Sequence, residues 1–112
     1  MTGEELARLL REDAVTLVDV RSPAEYSGEE GYPCDPVQGH IEGAVNLPLD
    51  ELMYDVDAAI EGLDTSRPIV AYCHSGQRSE IAAARLRAAG LDVENYPGSW
   101  HEWSRRPAQP AA

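Results

Sequence analysis

The six-residue stretch Cys73-His74-Ser75-Gly76-Gln77-Arg78 is where this sequence concentrates reactive residue types. A thiol stands first in a tight turn. An apolar run, Pro68-Ile69-Val70-Ala71-Tyr72, precedes it, and an Ala-rich run from Ser79 to Ala89 follows. If the first run is a strand and the second a helix, the unpaired N–H groups of the turn and helix start point at the sulfur. The positive end of the helix dipole then favours thiolate over thiol. Gly76 permits a sharp backbone path, and Arg78 adds a permanent positive charge. Such a cradle suits a nucleophilic cysteine and the anion that forms when it attacks. The plainer alternative is a buried structural cysteine at a strand end, with Arg78 an ordinary surface charge.

Other candidates surround this turn. Arg21 either assists an anion or ties loops together through carboxylates, and Asp19 is placed to orient it. His74 and Ser75 either touch a substrate or simply face solvent. His40, between Gly39 and Ile41, reads as a hydrogen-bonded structural histidine. With Cys34 and Cys73 it does not make metal-ligand spacing. Cys34 lies in a Pro/Gly loop and reads as a bystander, with a redox or resolving thiol as the sharper alternative. Trp100 and Trp103 are expected to seal the core near the turn.

The elements that must position these residues are legible from pattern. Thr2 with Glu5 reads as a capping box, followed by an apolar stripe of Leu6, Leu9 and Leu10. Thr16 to Val20 reads as a buried strand. Ser22-Pro23-Ala24-Glu25 reads as the start of a short helix, with Pro at its first position. Gly28 to Gly39 has no periodicity and reads as an irregular loop. Ala44 to Leu47 is a predicted strand. Leu52, Val56 and Ile60 are spaced by four and predict one helix over Leu49 to Ile60. Asp92 to Tyr96 predicts a last strand, and Ser99 to Ser104 a short helix. Residues 107–112 read as a frayed, disordered tail. Strands alternate with helices, so the expected class is α/β with a mostly parallel sheet. Ligands in such folds bind beyond the carboxyl ends of the strands, where Cys73 lies.

Composition sets bounds. The 112 residues suit a single domain, expected over 1–106, and 43% apolar content allows one buried core. No apolar run approaches the roughly 18 residues that a membrane span needs. The N-terminus shows neither a basic nor an apolar signal region, so the expected compartment is cytoplasmic. Two cysteines cannot build a disulfide framework, and in a reducing compartment at least one is expected to be chemical. Formal net charge is −11, and all nine basic residues are arginines. From Ser22 to Ser66 there is no Arg or Lys against eleven Asp and Glu. This charge argues against nucleic acid or an acidic membrane surface as a partner, so neither is expected. Any anion site must be built locally, from arginines and backbone N–H groups.

Four segments together resemble the rhodanese family. The turn Cys73 to Arg78 resembles its active-site loop. Val18-Asp19-Val20-Arg21-Ser22-Pro23-Ala24-Glu25-Tyr26 is similar to its first strand-turn signature, and Gly39-His40-Ile41-Glu42-Gly43-Ala44-Val45-Asn46-Leu47-Pro48 to its second. Asn95-Tyr96-Pro97-Gly98-Ser99-Trp100-His101-Glu102-Trp103 is similar to the closing segment of thiosulfate and 3-mercaptopyruvate sulfurtransferases. The matches run from about Leu6 to Trp103. The resemblance implies a three-layer fold with a mostly parallel five-stranded sheet. Only Met1 and Thr2 precede the first helix, so the family's opening edge strand is expected to be short or missing.

The resemblance further implies sulfur transfer. Cys73 would take sulfur from a small anionic donor such as thiosulfate, or from a mercapto acid, and hold it as a persulfide. A thiol, cyanide or a sulfur-accepting protein would remove it. No cofactor or metal is implied. His74, Ser75, Gly76, Gln77 and Arg78, with Arg21, are the expected substrate-binding residues. Inactive members lack the cysteine, which this chain has. Phosphatases of the cell-cycle dual-specificity type share the fold but have five residues between cysteine and arginine. Here there are four, a smaller cradle that suits sulfur better than phosphate. The alternative function is a rhodanese-fold binding or redox-regulatory module with little turnover.

Overall fold

The computed structural model describes residues 1–107. The expected tail therefore falls, beyond Pro107, outside the described residues. Thr2 caps α1 (Gly3–Arg11) through the reciprocal bonds with Glu5 that the sequence implies. β1 (Thr16–Asp19) and β3 (Ile69–Tyr72) are buried at every position, as short apolar β-branched runs are when helices cover both faces of a sheet. β2 (Val45–Asn46) and β4 (Val93–Asn95) flank them. The sheet order is β2-β1-β3-β4, with every pair parallel. All strand carboxyl ends therefore open at one edge.

α2 (Pro23–Ser27) starts at a Ser22 capping box and stops at Gly28, which adopts the left-handed conformation (φ 90°). α5 (Gln77–Ala88) is the long helix after β3, and α6 (Ser99–Trp103) follows β4. Two cores lie on the two sheet faces. One packs Val18, Ile69, Ala71 and Cys73 against Leu52, Ala82, Ala83 and Leu86. The other packs Leu17, Val70 and Tyr72 against Leu6, Tyr96 and Trp100. Leu52 and Leu86 are fully buried, and truncating either to Ala would cost about 2–5 kcal/mol.

The structure departs from the sequence pattern in three places. The predicted helix over Leu49 to Ile60 is two helices, α3 (Leu49–Tyr54) and α4 (Val56–Ile60). Asp55 breaks it: its backbone is extended, and its carboxylate accepts from the Ala58 N–H as a new cap. The four-residue spacing of apolar residues survives the break because α3 and α4 both face the same core. Second, α5 begins at Gln77 rather than Ser79, so Gln77 and Arg78 belong to its first turn. Third, the sheet has four strands. Among the described residues no strand precedes α1, where the five-stranded expectation allowed for a short or missing edge strand. Met1 instead lies beside β4, its amino group 3.4 Å from Glu94. No helix among the described residues is long and apolar enough to cross a membrane.

Candidate active site

Strand periodicity aims the thiol. Side chains alternate across a strand, so Ile69, Ala71 and Cys73 share the face covered by α5, while Val70 and Tyr72 point to the other. Cys73 thus leaves the end of β3 directed at the start of α5. Gly76 occupies the N-cap position there and has no side chain to cap with. The sulfur takes over that task. The Gly76 N–H donates to Cys73 Sγ across 3.1 Å, and N–H groups of Ser75 and Ser79 add further bonds. The Ser79 hydroxyl also donates to Sγ, at 3.3 Å. Burial pushes the thiol up, but these donors from Ser79, Gly76 and Ser75 outweigh it, and the Cys73 pKa lies below its ordinary value.

The path of the turn leaves room for nothing larger than glycine at its centre. Gly76 has φ of 94°, and a Cβ there would stand 2.7 Å from the carbonyl oxygen of Pro97. The backbone of Cys73 is fixed from the C-terminal side. Its N–H donates to Ser99 Oγ at 3.0 Å, and its carbonyl accepts from the Trp100 N–H at 3.0 Å. Ser99 is itself in the left-handed region (φ 54°), which is uncommon for a residue with a side chain. Its hydroxyl donates to Tyr96 O, which holds it under the strand end.

Arg78 lies in the first turn of α5, and its guanidinium makes a two-pronged pair with Glu25 of α2, at 2.8 and 3.0 Å. This pairing, against a smaller opposing effect of burial, holds the Glu25 carboxyl down to about 2. Glu25 also completes the Ser22 capping box, so one carboxylate anchors both α2 and the segment that follows Cys73. Arg21 is drawn inward. Its guanidinium pairs with Asp19 at 2.7 Å, donates to the Gly39 carbonyl at 2.6 Å and lies over the rings of Tyr72 and Trp100. It is 1% exposed. The expected substrate contact of Arg21 does not fit this burial, because its charge is spent on Asp19 and its donors on Gly39. It ties the end of β1 to the 28–39 loop.

Of the other expected contacts, Ser75 on the loop and Gln77 at the start of α5 are exposed, whereas His74 is buried. His74 Nε2 lies 2.9 Å from Asp35 Oδ2, and Tyr32 stacks on its ring. His40 bonds to the Tyr26 carbonyl and stacks on that ring, as a structural histidine does. Trp100 is buried and Trp103 packs partly buried beside the second core. Cys34 is exposed. Cys34, Asp35 and His101 bring ligand-type atoms within 4.8 Å of one another. Arg105 already donates to Asp35 there at 2.8 Å, so a cation would meet a positive charge in place. Ser79, Ser99, Glu25 and Asp35 are the site residues that pattern reading missed. A serine three positions after Gly76 was the one local signal available.

Known proteins match this arrangement. Residues 2–106 match the rhodanese-like domain family. The chain is 36% identical over 107 residues to the putative thiosulfate sulfurtransferase SseB of Mycobacterium tuberculosis, covering 86% of this chain and 37% of that protein. A crystal structure of a probable thiosulfate sulfurtransferase superposes with a TM-score of 0.80 at 39% identity, over 98% of this chain and 47% of that one. The human single-domain sulfurtransferase TSTD1 gives a TM-score of 0.73 at 27% identity, over 96% of each chain. This chain thus spans less than half the length of the first two relatives. With its thiol-centred loop at the end of a parallel strand and a family match from residue 2 to residue 106, the chain belongs to the rhodanese-like domain family.

Proposed function

We propose that this chain transfers sulfane sulfur through a persulfide on Cys73. The observation that carries the reading is the convergence on Cys73 Sγ of the Gly76 N–H and the Ser79 hydroxyl. The thiolate attacks the sulfane sulfur of thiosulfate. The new S–S bond forms as the old one breaks, and sulfite leaves with the electron pair of the broken bond. The terminal persulfide sulfur carries the negative charge, and the donors that held the thiolate are placed to hold that anion too. A thiol or cyanide then attacks the outer sulfur, giving a new persulfide or thiocyanate and returning the Cys73 thiolate. No proton carrier, metal or organic cofactor is needed for either step.

In this reading His74, Ser75, Gly76, Gln77 and Arg78 build the substrate site together, His74 and Gly76 from beneath through the backbone of the turn and the others at its rim. Ser75 and Gln77 are the exposed side chains that meet donor and acceptor. Arg78 acts mainly by holding the loop to α2 through Glu25. The sulfurtransferase names of the relatives support the assignment. The donor is a small anionic sulfur compound, the acceptor a thiol, cyanide or a sulfur-accepting protein, and the compartment is the cytoplasm. A thiosulfate-to-cyanide assay tests the proposal: thiocyanate should form with the parent protein and not with Cys73→Ser. Persulfide formation on Cys73 without turnover would favour a regulatory module instead.

A further inference from the structure

We infer that Asp35 is a positioning residue for the Cys73 nucleophile, acting through His74 to fix the loop that follows the sulfur. The inference rests on the sulfur-transfer reading, since it concerns the same loop. The geometry starts from the backbone. The carbonyls of Cys73 and His74 are held by the N–H groups of Trp100 and His101, at 3.0 and 2.9 Å. Past His74 the chain must turn so that the N–H groups of Ser75 and Gly76 face back to Sγ. The His74 side chain is therefore the last anchored group before those donors.

That side chain is gripped on several sides. Its Nε2 meets Asp35 Oδ2 at 2.9 Å. Its face stacks on Tyr32 with ring centroids 3.7 Å apart, and the His101 ring meets it edge-on at 5.5 Å. Asp35 is in turn held by Arg105, which donates to Oδ1 at 2.8 Å and to the Cys34 carbonyl at 2.8 Å. The Asp35 side chain is 1% exposed. Burial pushes its carboxyl up, but the bonds to Arg105 and His74 pull it further down, so it is ionised at neutral pH. An ionised carboxylate only accepts, so His74 Nε2 carries the hydrogen. Arg105, Asp35 and His74 thus join the C-terminal segment, the 28–39 loop and the active loop. The arrangement braces from outside a cradle in which a misplacement of about 1 Å is costly.

The readout that tests positioning is the pH dependence of Cys73 alkylation by iodoacetamide, in a Cys34→Ser background so that one thiol reports. The charged and titratable groups around the pair are Tyr32 and Cys34 from the loop and Arg105 and His101 from the C-terminal segment, while Arg78, paired with Glu25, faces Cys73 from the helix side. Asp35→Ala should slow alkylation at pH 7 about fivefold, by loosening the donors that favour thiolate. It should also move the pH–rate curve to higher pH. Asp35→Asn keeps one acceptor oxygen but turns its NH2 toward either His74 Nε2–H or Arg105, so it should recover only part of the rate. In a His74→Ala background, Asp35→Ala should have no further effect.

Arg105→Gln, on the exposed side of the network, should slow alkylation about twofold and serves if Asp35→Ala does not fold. A pH–rate curve for Asp35→Ala or Arg105→Gln that superimposes on the parent's would overturn the inference. So would a full Asp35→Ala effect in the absence of the His74 ring. Alkylation needs no sulfur donor, so failure of sulfur transfer and failure of this positioning role are separate results.

Discussion

The Ser79 hydroxyl donates to the Cys73 sulfur across 3.3 Å, from the first turn of the helix that the cysteine precedes. Ser79 is fully buried, so this bond is not diluted by water. A hydrogen bond to a charged group contributes about 1.5–3 kcal/mol. Ser79→Ala should slow Cys73 alkylation and persulfide formation at pH 7 about tenfold and move the pH–rate curve upward. The hydroxyl contacts little else that holds the fold, so the melting temperature should change little. An alkylation curve identical to the parent's would show that backbone donors suffice.

The two cysteines differ in burial and in neighbours. Cys73 is 1% exposed and held by donors, whereas Cys34 is exposed and adjacent to Asp35. After incubation with thiosulfate and removal of the excess, intact mass should rise by one sulfur atom, mapped to Cys73. Cys73→Ser should lose adduct and turnover while staying folded, and Cys34→Ser should keep both. An adduct on Cys34 would contradict the assigned loop.

Gly76→Ala places a methyl 2.7 Å from Pro97 O on a left-handed backbone. Left-handed strain alone costs about 1–3 kcal/mol. Thermal melting should drop accordingly, and sulfur transfer should fall by more than tenfold. A variant with normal turnover would mean that the loop relaxes without moving its N–H groups.

The Glu25–Arg78 pair sets a pH window for stability. The folded-state pKa of Glu25 is depressed from 4.5 to about 2, so its contribution is fully present above 4.5 and is lost as pH falls through about 2. Glu25→Gln should therefore be less stable than the parent by a constant margin at neutral pH. That margin should shrink below pH 4.5. Arg78→Lys should recover only part of the activity lost in Arg78→Ala, because an ammonium cannot reproduce the two-pronged bond. Melting curves from pH 3 to 8 check the first point, and a margin independent of pH would refute it.

The short loop should not turn over aryl phosphates. Four residues between Cys73 and Arg78, with Arg78 committed to Glu25, leave no spare fork for a tetrahedral phosphate. Hydrolysis of p-nitrophenyl phosphate that vanishes in Cys73→Ser would sink this expectation.

Local chemistry determined much of this protein directly. The capping boxes at Thr2 and Ser22, the apolar runs of β1 and β3 and the glycine-centred turn after Cys73 are each decided within a few residues. Their order alone implied a parallel α/β sheet with the thiol at its carboxyl edge. The break at Asp55 was hidden because α3 and α4 keep one apolar face across it. Only the tertiary structure decided what surrounds the sulfur. Ser99 reaches Cys73 across 26 residues, Asp35 reaches His74 across 39, and Glu25 reaches Arg78 across 53. Those pairs depend on sheet order and strand register, which no local pattern encodes. Arg21 shows the same limit: its sequence position left open an anion contact or a loop tie through a carboxylate, and packing between Tyr72 and Trp100 decided for the tie. A charge so enclosed is stable only with a partner, and Asp19, two residues away, supplies it.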